Sequence, residues 1–175
     1  KYPNTWEISR TPIGHFIGIQ SARANAIVKE GLGNVPEVRG YGAVQSEVKY
    51  GAENSRIDLL LSEHPNKPDC YIEIKSVTLL DESIAKGLGR FPDAVTARGT
   101  KHLRELTEVV REGHRGVLFF CVQHTGITRV EPARDIDPLY AETLVAAREV
   151  GVEVYAYSTK CSQEGIVLGH PMPFL

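Results

Sequence analysis

Residues 117–123 read VLFFCVQ, a run with a single polar side chain, at its end. A strand this apolar offers no face to water, so both of its faces must be covered. A layered fold does that when the strand lies mid-sheet and helices pack above and below it. The helices are at hand. Residues 22–32 follow a capping Ser21 and close at Gly33-Asn34, and residues 136–150 form another. Between them a helix opens at Pro92-Asp93, or at Thr100 with Gly99 as the weak point, and either version ends at Gly113. Strands are predicted at 44–50, 55–62 and 70–77, joined by short turn-rich links that favour an antiparallel meander over crossovers. Residues 5–9 and 15–19 read as a hairpin around Arg10-Thr11-Pro12-Ile13-Gly14, and 152–157 and 165–168 as late strands. Residues 78–91 have no period and carry Gly87 and Gly89, which predicts a mobile loop. The order predicts an α/β sandwich with a mixed sheet.

At 175 residues the chain holds about one domain's worth of sequence, and 42% hydrophobic with 24% charged residues excludes wholesale disorder. A net charge of −2 excludes a uniformly basic nucleic-acid coat but leaves room for a local basic groove. No apolar run reaches the roughly 18 residues of a spanning helix and no secretory signal opens the sequence, so a soluble, cytoplasmic protein with no membrane partner is expected. Cys70, Cys121 and Cys161 are odd in number and far apart, and the six histidines form no H-x-x-x-H pair. Neither a disulfide framework nor a zinc site follows.

Charge inside the predicted sheet is the sharper signal. In CYIEIKSV (70–77), strand periodicity puts Glu73 and Lys75 on one face, about 7 Å apart, with Ile72 and Ile74 on the other. Asp58 stands alone among Ile57, Leu59, Leu60 and Leu61, where a carboxylate is costly to bury without a partner or a cation. If Tyr50 pairs with Ser55, partner numbers sum to 105, so Glu47 faces Asp58 and Lys49 faces Arg56 on one sheet face. Two carboxylates directly opposite repel, and a divalent cation or Lys75 would relieve them. The next register is open: Asp58 meets Glu73 or Lys75 at sums of 131 or 133. Spacing alone also fits a half-exposed sheet face laced with salt bridges. Chemically, two carboxylates and a main-chain carbonyl, that of Ile74, can hold Mg²⁺ or Mn²⁺ for phosphodiester hydrolysis, with Lys75 orienting water or stabilising the transition state. The pattern Asp-x₁₄-Glu-x-Lys resembles that of the PD-(D/E)XK nuclease superfamily.

Longer stretches extend the resemblance. SEVKYG at 46–51, SRID at 55–58, DCYIEIKSVTL at 69–79, FPDAVTARGTKHLREL at 91–106 and KYPNTW at 1–6 resemble the sugar fermentation stimulation protein family, SfsA, over nearly the whole chain. The resemblance implies an N-terminal OB-fold followed by a restriction-endonuclease-like sandwich. Here residues 1–20 would be the linking hairpin and 21–175 the PD-(D/E)XK nuclease-like domain. It implies catalytic roles for Asp58, Glu73 and Lys75, leaves the auxiliary acid open between Glu30 and Glu47, and implies DNA binding without sequence preference. Two functions follow: a divalent-metal-dependent DNA phosphodiesterase, or a non-catalytic DNA-binding regulatory module linked to sugar (maltose) metabolism.

Residues 83–115 hold seven basic and four acidic side chains, so positive charge gathers just after the candidate site. Val95, Leu103, Leu106 and Val110 form the predicted core stripe of their helix, and Arg98, Lys101, His102 and Arg104 are the expected phosphate contacts. A homodimer would set two sites across a duplex, although no self-complementary surface is legible.

Overall fold

The computed structural model describes residues 6–51, 55–162 and 165–175. In chain order the elements are β1 (Ile8–Arg10), β2 (Phe16–Gly18), α1 (Arg23–Gly31), β3 (Ala43–Tyr50), β4 (Ser55–Ser62), β5 (Cys70–Val77), β6 (Leu79–Leu80) and β7 (Leu88–Phe91). They continue with α2 (Ala97–Arg111), β8 (Arg115–Val122), β9 (Arg129–Pro132), α3 (Pro138–Val150), β10 (Glu153–Ser162) and β11 (Gly165–Met172). The main sheet runs β11-β10-β8-β5-β4-β3, with β8 parallel to both neighbours and the outer pairs antiparallel.

The apolar run does what its composition requires. Leu118, Phe120 and Val122 of β8 enter the core beneath α2 and α3, while Val117, Phe119 and Cys121 enter the core beneath α1. All six are at most 1% exposed. The parallel pairs β5–β8 and β8–β10 enclose α2 and α3 in their crossovers, which places both helices on one face. The predicted sandwich with a mixed sheet is the observed fold. Among the described residues no helix is long and apolar enough to cross a membrane.

Several boundaries move. Helix α2 begins between the two expected starts because the Thr96 hydroxyl accepts from the Gly99 N–H at 2.9 Å and caps it ahead of the glycine. Val95, expected on the core stripe, lies outside the helix and is 77% exposed. Asp137 caps α3 through Tyr140 N, so that helix opens at Pro138. The predicted 5–9 strand falls partly outside the described residues, but the hairpin closes as expected, with Ile8 opposite Gly18. It is pinned to the end of β8, where Gly18 N donates to Gln123 O at 2.8 Å.

The mobile loop expected at 78–91 is instead ordered structure. β6 and β7 pair there, and β7 runs parallel to β9 in a second sheet. Leu88 is buried, and buried Arg90 is held by Asp81 and Asp135. Strands of two to four residues show no period, and one of the two partners of β7 lies some forty residues downstream, so a local pattern has little to report.

Candidate functional site

The β3–β4 register has partner numbers summing to 105, from Ala43 opposite Ser62 to Tyr50 opposite Ser55, with one gap. Glu47 and Asp58, expected to face each other, are the position where the ladder is interrupted. Glu47 has φ of 56°, a left-handed conformation that a non-glycine residue adopts at a cost. The pleat inverts there. Val48 and Ile57 belong to the core under α2 and α3, whereas Leu59 belongs to the core under α1 and Ser46 accepts from Lys29 of α1. The expected single shared face for residues 47, 49, 56 and 58 is therefore broken at its centre.

Between β4 and β5 the partner numbers sum to 131, the value that brings Asp58 to Glu73, but the ladder stops at Leu59 opposite Ile72. Beyond it Asp58 substitutes for the main chain. Its Oδ2 accepts from Ile74 N at 2.7 Å and its Oδ1 accepts from Asn25 Nδ2 of α1 at 2.7 Å. The β4–β5 ladder ends there, beside a cleft of about 810 Å³ whose lining includes Asn25, Glu47, Asp58, Ile74, Lys75 and Arg98.

Glu73 lies behind this wall, 2% exposed and turned toward α2. Its Oε1 accepts from Lys75 Nζ at 2.7 Å and makes a short contact with His102 Nδ1. Its Oε2 is buried without a hydrogen-bond partner. Burial alone would push the Glu73 carboxyl up, but the His102 hydrogen bond and the Lys75 charge outweigh it and hold the group below its ordinary value. Asp58 goes the other way: burial, then the negative charge of Glu73, raise it against the opposing pull of Ile74 N–H, Asn25 and Lys75. Asp58, tied to α1, and Glu73, turned toward α2, are near enough for the charge of Glu73 to raise Asp58, and one Glu73 oxygen is left over. Among the described residues no three His, Cys, Asp or Glu side chains form a ready-made metal cage. A cation here would draw on two carboxylates, a carbonyl and water, which suits Mg²⁺ or Mn²⁺ rather than zinc.

Of the other expected residues, Glu47 is exposed and lines the cleft, whereas Glu30 is exposed and stands outside the cleft lining. The α1 position that does face Asp58 is Asn25. Its signal was a polar residue three positions from the fully buried Val28, on the apolar stripe of the helix. Arg98 lines the cleft, Lys101 is half-buried further along α2, and Arg104 borders a separate hollow with Tyr50 and Tyr71. His102 does not take the expected place on a phosphate. It is 5% exposed and points inward to Glu73, because its side of α2 is also that of buried Leu106.

The family described as the sugar fermentation stimulation protein RE domain, SfsA, matches residues 22–165. A sugar fermentation stimulation protein homolog of Shewanella loihica is 57% identical over 164 residues, covering 93% of this chain and 68% of the relative. One from Shewanella pealeana is 55% identical over 175 residues, covering 99% of this chain and 73% of that one. Among solved structures, Pyrococcus furiosus SfsA in complex with Ca²⁺ superposes with a TM-score of 0.77 at 26% identity, over 91% of this chain and 67% of the other.

Proposed function

The chain belongs to the sugar fermentation stimulation protein family, and from that premise we propose that it cleaves DNA phosphodiester bonds with the help of a divalent cation, Mg²⁺ or Mn²⁺. The observation that carries the reading is the Glu73 carboxylate. One oxygen takes two donors while the other is buried and unpartnered, and the amide of the next residue, Ile74, donates to a second desolvated carboxylate, Asp58. An acceptor left bare in that way is expensive, and a cation is its natural complement. Asp58, Glu73 and the Ile74 carbonyl are the proposed ligands, and the archaeal relative's Ca²⁺ complex supports a hard, oxygen-seeking ion. When bound, such an ion polarises a phosphate oxygen and lowers the pKa of a coordinated water.

The chain's own residues supply the rest. Lys75 lines the cleft and already donates to Glu73, so its ammonium can hold the attacking water and meet charge developing at phosphorus. Glu47, exposed on the same cleft, is the proposed auxiliary acid and can take up a proton. Arg98, with Lys101 and Arg104 further along α2, neutralises backbone phosphates, which reads DNA by charge rather than by sequence.

The test is cleavage of supercoiled, linear and single-stranded DNA with Mg²⁺, Mn²⁺ or chelator, in parent and Asp58→Ala. Metal-dependent nicking by the parent that Asp58→Ala reduces by at least about 100-fold supports the proposal. DNA binding with no cleavage of any form, under any metal, would establish the regulatory DNA-binding module instead.

A further inference from the structure

Glu73 does not set its own orientation. Two neighbours hold it, and one of them, His102, has no evident business in the interior of a helix face unless it is doing so. Its ring is engaged at both nitrogens: Nδ1 meets Glu73 Oε1, and Nε2 accepts from Arg98 Nε at 3.4 Å. A guanidinium nitrogen can only donate, so Nε2 is the acceptor, and a carboxylate oxygen accepts, so Nδ1 carries the proton; Lys75 Nζ, 3.4 Å from the same Nδ1, spends its hydrogen on Glu73 Oε1 at 2.7 Å instead. The ring therefore gives its hydrogen to Glu73 Oε1, which Lys75 Nζ also contacts. With Oε1 tied down twice, rotation of the carboxylate is blocked and Oε2 is the atom left free. Arg98 is exposed and lines the cleft, so the chain of contacts runs from the cleft surface through α2 to the buried carboxylate.

We infer that His102 is a positioning residue, with its tautomer set by Arg98, which orients the Glu73 carboxylate so that Oε2 receives the divalent cation. The inference rests on Glu73 being a cation ligand, as proposed above. The residues that orient a metal ligand typically change metal affinity by 10–100-fold when replaced. His102 makes no contact with the cleft itself and belongs to no step of the cleavage chemistry.

The experiment reads Mn²⁺ alone, without DNA, through the rise in Tm it causes and through a direct binding titration, in the parent and three variants. An asparagine amide can stand where Nδ1 stands, and a glutamine amide where Nε2 stands. His102→Asn should retain Mn²⁺ affinity to within a few-fold, and His102→Gln should lose about tenfold or more. The metal-free Tm of each variant reports folding separately. Arg98→Ala, at an exposed position that tolerates truncation, guards against a buried-site variant that does not fold. By charge alone, removing a cation near the site should tighten Mn²⁺ binding. The tautomer argument requires the opposite sign, a several-fold weakening. In cleavage assays the loss in His102→Gln should appear as a higher Mn²⁺ requirement, with the rate at saturating Mn²⁺ largely restored.

Equal Mn²⁺ affinity in parent and His102→Gln, or equal losses in the Asn and Gln variants, would overturn the role of His102. Tighter binding by Arg98→Ala would overturn the role of Arg98. A parent with no Mn²⁺ response at all would instead remove the cation reading of Glu73, and this inference with it.

Discussion

Two carboxylates on neighbouring parts of the sheet meet opposite fates. Glu153 at the start of β10 is matched on every side: Arg115 Nε and Nη2 reach its two oxygens at 2.8 and 2.9 Å, and Tyr155 donates to Oε2. Arg115 in turn uses two further donors on Tyr41 Oη and the Glu37 carbonyl. Glu73 on β5 is far more buried, its side chain 3% exposed against 32% for Glu153, yet one of its oxygens has no partner. A pair built only for stability closes its hydrogen bonds, most of all where water cannot help. The deeper group is the less satisfied one; Glu105 also buries two unpartnered oxygens, and what sets Glu73 apart is the second carboxylate, Asp58, which its charge raises.

The comparison breaks most visibly at the closed pair. Arg115→Met leaves Glu153 to the Tyr155 hydroxyl and takes the Arg115 donor from the Glu37 carbonyl, and should cost about 3 kcal/mol, measured by urea denaturation at neutral pH. Burial works to raise the Glu153 carboxyl, but the Arg115 hydrogen bond and charge hold it low. The stability it contributes is therefore present above its ordinary 4.5 and lost as pH falls through the depressed value, and the variant should lack that acid limb.

Asp58→Asn tests the open corner with a smaller effect of opposite sign. The amide still accepts from Ile74 N–H, and Asn25 turned over can accept its N–H₂, so the hydrogen bonds persist while the repulsion with Glu73 disappears. Metal-free stability should rise by about 1 kcal/mol, or about 3 °C in Tm. The group's folded pKa is raised, so its favourable contribution is complete below 3.8 and lost as pH rises through the folded value. The gain from the substitution should accordingly appear near neutrality and fade in acid. Mn²⁺ should lift the parent's Tm and not the variant's, whereas equal lifts in both would move the ion to another site.

The smallest effect separates cations that face DNA from those that face the protein. Arg98→Ala should reduce the slope of log affinity for duplex DNA against log salt by about 0.9, the share of one phosphate contact. Arg115→Met should leave that slope unchanged, because its guanidinium is already spent on Glu153. A slope indifferent to Arg98 would place the DNA groove elsewhere on the molecule.

What the amino-acid order determined by itself is whatever depends on near neighbours. The two-faced burial of β8, the limits of β4 and β5, the β3–β4 register and the pairing of Asp58, Glu73 and Lys75 as candidates all follow from side-chain period and from turns a few residues long. Tertiary structure decided the rest, because those features depend on partners that no local pattern names. β7 lies between β6 and the distant β9, and Arg90 is buried with Asp81 and Asp135 against it. The pleat inverts at Glu47 through a left-handed backbone that nothing in SEVKY advertises. Asn25 reaches Asp58 across 33 residues and His102 reaches Glu73 across 29, each from a helix whose rotation on the sheet is set by the packing of its other residues.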